Sequence, residues 1–296
     1  MKTNEIHGRD PFVMPYNGKY YMYVSNAALC WGMGGNFNLY ISDDLENWSE
    51  PIEIFKCTPD FWSDRHFWAP EVHEYNGAFY LFASFNAENI NRGTAILKSE
   101  TPEGPFKPHS DGPVTPSDMV CLDGTLFCEN GRNYMVFCHE WTQVYDGGMC
   151  AIELSSDLKS AIGEPKTLFT ASSAPWARPI TIPLDITNIP NGVDCYVTDG
   201  PFFHRTKGSD LLMLWSSFGE SDNYVLAVAR SNDGTLFGKW IHEPKLLFDK
   251  DGGHGMIFRK FDGTLMLTLH SPNELSLERP AFFELAEVDN ALVVKP

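Results

Sequence analysis

One pattern occurs five times along this chain, and it limits the possible folds more than any other feature. A short apolar strand runs into a turn built on glycine, and a second strand rich in aromatic residues follows. The turns are Asn17-Gly18, Asn76-Gly77, Asn130-Gly131, Lys207-Gly208 and Asp262-Gly263. Asn-Gly and Asp-Gly signal tight hairpins because both turn positions must accept positive φ. The second strands, Tyr20–Val24, Phe79–Ala83, Tyr134–Phe137, Leu211–Trp215 and Leu265–Leu269, are almost continuously apolar. Strands covered on both faces read this way. Third strands follow at Phe37–Ser42, Thr94–Ser99, Met149–Ser155 and Tyr224–Ser231. A unit of three or four short strands repeating at about 55 residues is a propeller blade. The pattern therefore predicts an all-β chain folded as a five-bladed β-propeller, one domain using residues 1–296.

One interval, from Gly131 to Gly208, is longer than the others. Its surplus lies at about 171–198, where Pro175, Pro179, Pro183 and Pro190 predict an extended inter-blade loop. Long loops in compact domains usually serve function. Trp176 and Arg178 are then candidates for ligand contact, while a strap over blade edges explains the stretch equally well. Which terminal segment closes the ring, Met1–His7 or Ala291–Pro296, is left open by the pattern.

Composition narrows the partners. The formal charge of −17, with no basic run, argues against nucleic acid and against acidic polysaccharides, and leaves neutral sugars open. The 24 Gly and 20 Pro argue against long helices. The 7 Cys stand singly (Cys30, Cys57, Cys121, Cys128, Cys138, Cys150 and Cys195), with no C-x-x-C pair, and are expected to be mostly buried free thiols in a reducing compartment. Met1–Arg9 has no apolar leader, and no apolar run is long enough to cross a bilayer. The expectation is a cytoplasmic protein without a membrane partner, or a periplasmic or secreted one whose leader has been trimmed. Oligomeric state is not readable from these features.

Eight or nine residues before each turn glycine stand Asp10, Ala69, Asp123, Asp199 and His254, each followed by Pro or Gly. A single Asp before Pro or Gly is ordinarily a turn residue. Three at one place in a repeat argue for more. If these segments are the innermost strands, three carboxylates and an imidazole converge at one mouth of the channel. Like charges held that close shift each other's pKa values, an arrangement kept for chemistry or for a cation.

The segments Arg9-Asp10-Pro11-Phe12, Phe67-Trp68-Ala69-Pro70-Glu71, Leu122-Asp123-Gly124, Thr198-Asp199-Gly200-Pro201 and Gly253-His254-Gly255 resemble glycoside hydrolase family 43, from about Arg9 to Pro272. The resemblance implies a five-bladed propeller acting on arabinose- or xylose-containing glycans. It implies Asp10 as general base, Asp123 as the group that orients and tunes the acid, and Asp199 where the family has a Glu as general acid. It also implies that His254 is the channel histidine, beside a calcium ion in some members. No second His stands at metal-ligand spacing, which argues against zinc, and no cofactor is required. An inverting glycosidase sets its two carboxyls about 6.5–9.5 Å apart, and an Asp reaches about 1.5 Å less far than a Glu. Three outcomes stay open: Asp199 serves as the acid on a shifted backbone, Glu140 replaces it, or the propeller no longer catalyses.

Trp31, His66, Trp68, Trp141 and Trp176 are candidate sugar-stacking groups, whereas Trp215 and Trp240 read as core. Arg65 and Arg178 suit sugar hydroxyls or surface ion pairs alike. The sequence thus points to an exo-acting α-L-arabinofuranosidase or β-xylosidase. The alternatives are an endo-acting arabinanase or xylanase-like hydrolase and a non-catalytic glycan-binding propeller. A protein-interaction propeller is disfavoured, because the WD-type signature is missing.

Overall fold

The computed structural model describes residues 1–182 and 188–295; Pro183 of the long loop and the terminal Pro296 lie outside them. Its strands form five four-stranded antiparallel sheets, each drawn from one contiguous stretch and ordered from the channel outward. Blade 1 comprises β1 (Gly8–Tyr16), β2 (Lys19–Asn26), β3 (Asn36–Ser42) and β4 (Ile52–Lys56). Blade 2 comprises β5 (Arg65–Tyr75), β6 (Ala78–Ala87), β7 (Ile90–Ser99) and β8 (Lys107–Pro108). Blade 3 comprises β9 (Cys121–Glu129), β10 (Arg132–His139), β11 (Gly148–Leu154) and β12 (Ala161–Thr170). Blade 4 comprises β13 (Asp199–Arg205), β14 (Leu211–Phe218), β15 (Tyr224–Ser231) and β16 (Trp240–His242). Blade 5 comprises β17 (Gly253–Arg259), β18 (Leu265–Ser271), β19 (Arg279–Val288) and β20 (Ala291–Val294).

The hairpin signals do the work expected of them. Asn17, Asn76 and Asn130 take φ of 46°, 50° and 52°, and the glycines after them 79°, 77° and 75°. The second strand of each blade is buried along nearly its whole length because both of its faces meet a neighbouring blade. The apolar core therefore lies in the seams. One cluster joins blades 5, 1 and 2, and others fill the seams between 2 and 3, 3 and 4, and 4 and 5. Trp215 and Trp240 are buried in the seam of blades 3 and 4, as the sequence suggested. All seven cysteines are free, with Cys57 and Cys128 less buried than the rest.

Ring closure uses no shared blade. β20, from the C-terminal end, is the outer strand of blade 5. The N-terminal segment crosses the seam between blades 5 and 1: Ile6 is fully buried, the Met1 amino group donates to the Trp48 carbonyl, and Arg279 donates to the Asn4 carbonyl.

At the channel mouth each inner strand carries a bulge opposite a fixed residue of its second strand. The residues before the bulge are Arg9, Trp68, Leu122, Asp199 and Gly253, and they face Ser25, Ser84, Cys138, Ser216 and His270. The bulge residues are Asp10, Ala69, Asp123, Gly200 and His254, and all five have φ between 48° and 55°. This corrects the repeat reading at blade 4. Asp199 is not equivalent to Asp10, Ala69, Asp123 and His254; Gly200 is, and Asp199 stands one residue earlier, level with Arg9. Eight residues back from the turn glycine stand Asp10, Ala69, Asp123 and Gly200, and blade 5 alone needs nine to reach His254; taking nine at blade 4 as well put Asp199 in place of Gly200. Gly200 has little choice of side chain: a Cβ at this position would lie 2.8 Å from Cγ of His254.

Candidate active site

The bulge N–H groups point across the seams, and the facing side chains accept them. Ser25 Oγ accepts from Ala69 N (2.7 Å), Ser84 Oγ from Asp123 N (2.8 Å), Ser216 Oγ from His254 N (2.8 Å) and His270 Nδ1 from Asp10 N (3.3 Å). Cys138 breaks the series between blades 3 and 4. There the Asp123 carboxylate accepts the Gly200 N–H at 3.0 Å. Buried N–H groups are thus satisfied, and the left-handed backbone that aims each bulge side chain into the mouth is fixed from two blades at once.

Three of the predicted groups meet directly. His254 Nδ1 lies 3.3 Å from Asp10 Oδ1 and 3.6 Å from Asp123 Oδ2. Burial alone would lower the imidazole's pKa, but Asp10, Asp123 and Asp199 raise it on balance, so His254 is the cation of the cluster. Asp10 is held far below the usual carboxylate range: burial is outweighed by His254, His270 and Arg9, and Ser25 Oγ donates to its Oδ2 at 2.7 Å. Asp123 and Asp199 move the other way. Burial raises both; the Asp10 charge adds to each, and Asp199 adds further to Asp123. His254 and the Tyr224 hydroxyl, which donates to Asp199 Oδ2 at 3.1 Å, only partly offset the rise at Asp199. The site can therefore hold one carboxylate charged and another protonated near neutrality, the condition for a base and an acid on either side of one bond.

These groups line a cavity of about 1300 Å³ that reaches all five blades. Trp31, Arg65, His66, Trp68, Glu140 and Trp141 are in its wall, as expected. Trp31 is 52% exposed, with the Trp68 ring centre 4.8 Å from its own and the Arg9 guanidinium 5.7 Å away. Trp68 is more engaged than a sugar platform should be. The Arg92 guanidinium sits 3.9 Å from its ring centre, His66 stacks on it at 5.2 Å, and its N–H donates to the Cys30 carbonyl. Glu140 is ion-paired with Arg92, whose other nitrogen reaches His66 Nδ1 at 3.1 Å.

Two expected ligand contacts are corrected. Trp176 is buried against Trp215, ring centres 4.7 Å apart, and belongs to the core between blades 3 and 4. Arg178 turns to the carbonyls of Pro175 and Ala177 and to Glu220. Among the described residues of the long loop, Ile180 and Val197 are the ones that reach the cavity.

The sequence reading missed Arg9, Arg92, Tyr224, His270 and Glu278. Arg9 adjoins Asp10 and pairs with buried Glu278 at 2.8 Å, so proximity to Asp10 was its one available signal. Tyr224 begins a third strand, and His270 ends a second strand in blade 5 where other blades have Ser or Cys. Glu278 comes from the connection between β18 and β19 and carries no local pattern.

A calcium ion beside His254 would have to draw most of its oxygens from water. Calcium takes about six to eight oxygens. The Nδ1 of His254 is turned to two carboxylates, and among the described residues no three His, Cys, Asp or Glu side chains converge as a metal site.

The family model described as glycosyl hydrolases family 43 matches residues 4–287. The chain is 37% identical to an endo-arabinase of Bacteroides thetaiotaomicron whose structure superposes with a TM-score of 0.88, covering 98% of each chain. It is 26% identical over 279 residues to an extracellular exo-α-(1→5)-L-arabinofuranosidase of Cellvibrio japonicus, 86% of this chain and 72% of that protein. It is 29% identical over 151 residues to xylosidase/arabinosidase 43A of Humicola insolens, 46% of this chain and 45% of that protein, so this match spans less than half of the relative.

Proposed function

Because this chain belongs to glycosyl hydrolase family 43, we propose that it hydrolyses arabinose-containing glycans by single displacement, with Asp10 as base and Asp199 as acid. The observation that carries this reading is the opposite displacement of the two carboxyls within one cavity, Asp10 down and Asp199 up. Asp10, charged at all working pH values, activates a water. Asp199, its pKa raised to about 6 chiefly by burial and so protonated on the acid side of neutrality, donates to the leaving oxygen. Asp123 is the group between them. Its Oδ2 accepts the N–H of Gly200, the residue after Asp199, and its own pKa is raised to about 7, by burial first and then by the Asp199 and Asp10 charges.

The same reading favours an acid of Asp type over replacement by Glu140. Glu140 is ion-paired with Arg92, so one of its carboxyl oxygens is committed to the guanidinium. It also argues for catalysis over mere glycan binding, because a carboxyl kept protonated in a buried cluster serves no purpose in sugar binding that an amide would not serve better.

The cavity favours internal over terminal cleavage. Pockets for a drug-sized ligand run to about 300–1,000 Å³, so some 1300 Å³ accommodates several pentose units. Linear α-1,5-arabinan, a polymer suggested by the similar endo-arabinase together with the 1→5 linkage named for the Cellvibrio relative, is the first substrate to try. A ladder of oligosaccharides that appears early, with inverted anomers seen by proton NMR and no turnover in Asp10→Asn, is the expected result. Release of arabinose alone from chain ends would favour the exo-acting reading. Binding without any turnover would sink the enzyme reading.

A further inference from the structure

We propose that Tyr224 is a positioning residue for the general acid: its hydroxyl fixes the Asp199 carboxyl so that the short side chain presents one defined oxygen to the leaving group. This rests on the reading of Asp199 as the acid.

Asp199 side-chain bonding supports it first. Among the described residues, the Tyr224 hydroxyl, at 3.1 Å from Oδ2, is the side-chain hydrogen-bond partner of Asp199. A phenol that donates to Oδ2 leaves the acid's own proton on Oδ1, the oxygen free to face substrate. The phenol stays a donor, since burial first, then the charges of Asp199 and Asp10, push its pKa well up.

The second support is how Tyr224 is held. Its ring stacks on His270, centres 5.6 Å apart and planes 18° apart, and His270 Nδ1 accepts the Asp10 N–H. One aromatic pair therefore spans from acid to base. The third is Gly253. In the ring of residues before the bulges it stands where the other blades have Arg9, Trp68, Leu122 and Asp199. A Cβ there would lie 2.5 Å from Tyr224 Cε1 and 2.6 Å from Ser216 Oγ. The missing side chain at Gly253 is the space that Tyr224 occupies.

The charged groups that face Asp199 are Asp10, Asp123, His254 and Arg9, with Tyr224 the neutral donor among them. Loss of the phenol takes away a bond that favours the ionised acid, so the alkaline limb of the pH profile should move to higher pH.

The experiment compares Tyr224→Phe, which keeps the stacked ring, with Asp199→Asn. Both are assayed on the glycan that wild type cleaves and on two aryl glycosides of the same sugar, with dinitrophenolate and unactivated phenolate leaving groups. Acid catalysis contributes about 10²–10⁴-fold. Tyr224→Phe should lower kcat on the unactivated substrates by roughly 10- to 100-fold. It should leave the dinitrophenyl substrate within about threefold, change KM little, and raise the alkaline limb. Gly253→Ala, whose Cβ pushes against the Tyr224 ring and leaves the Tyr224 and Asp199 side chains chemically intact, should show the same dependence on leaving group. Equal losses on both aryl substrates, or an unmoved alkaline limb, would overturn the assignment while the acid reading stands. If Asp199→Asn itself shows no dependence on leaving group, the acid reading fails and this inference with it.

Discussion

Asp10 and Asp199 are the same side chain placed in two electrostatic settings: at Asp10 the His254 charge, the His270 hydrogen bond and Arg9 outweigh burial, and at Asp199 burial outweighs His254, Tyr224 and Arg9. His254 contacts Asp10 at 3.3 Å and reaches Asp199 only through space, so burial wins at Asp199 and loses at Asp10. Replacing His254 by Asn should therefore raise the Asp10 pKa. Since Asp10 works ionised, the acidic limb of kcat/KM should climb toward neutrality, with activity at least about tenfold lower, readable in a pH–rate profile. The same logic gives a stability test at Asp199. Its folded pKa is raised, so folding must hold a proton that the unfolded chain gives up above about pH 4. That penalty is absent at low pH, grows as pH rises to the folded pKa, and stays constant beyond it. Asp199→Asn should be more stable than wild type at pH 8 by on the order of 1–2 kcal/mol, and the gain should vanish near pH 4. Denaturant titrations at the two pH values decide it; a gain that does not depend on pH would contradict the assignment.

The next scale up is the inner hairpin, the element that turns a repeat into a site. The ring of cross-seam bonds from Ser25, Ser84, Ser216 and His270 fixes where each bulge side chain points. Ser84→Ala leaves the Asp123 N–H buried without an acceptor, which costs about 1–3 kcal/mol. Ser217→Ala is the control: its hydroxyl is buried and finds no partner among the described residues, so little should change. Melting temperatures of the pair test the ring, and a Ser84→Ala protein as stable as the control would dismiss it. The hairpins also show what could be read in advance. Blade number, turn positions and the second and third strands are local patterns of Gly, Asn and apolar residues, and they were legible. Asp10, Asp123 and His254 were legible because repetition marked them. Asp199 was found by motif but misplaced by one residue: eight back from the turn glycine is Gly200 in blade 4, as it is Asp10 in blade 1, and the carboxylate at the ninth position drew the repeat to itself. Trp176 illustrates the opposite limit. A Trp in a proline-rich loop reads as available to ligand, yet the nearest apolar surface, Trp215, took it into the core.

For the whole molecule, the decisive place is the seam between blades 5 and 1, where the chain is not continuous and the N-terminal segment and cross-seam side-chain contacts close the ring. Ile6 lies fully buried there, Trp48 stacks on Phe282 at 5.9 Å, Arg279 holds the Asn4 carbonyl, and Arg9 holds Glu278. The last of these contacts lines the catalytic cavity, and the His270 contact to the Asp10 N–H crosses the same seam. Closure and catalysis thus share residues, which no blade-local pattern could reveal because the partners stand at opposite ends of the sequence. An Ile6→Ala protein, changed three residues before Arg9 and four before Asp10, removes packing at the seam while leaving every cavity side chain in place. It should cost about 2–5 kcal/mol in stability. Because loosening this seam frees Asp10 and Arg9 before it unfolds the other blades, activity should be lost on warming several degrees below the loss of β-sheet circular dichroism, whereas in wild type the two should coincide. Coincident losses in Ile6→Ala would mean that the five blades melt as one unit and that the seam carries no special part of the site's rigidity.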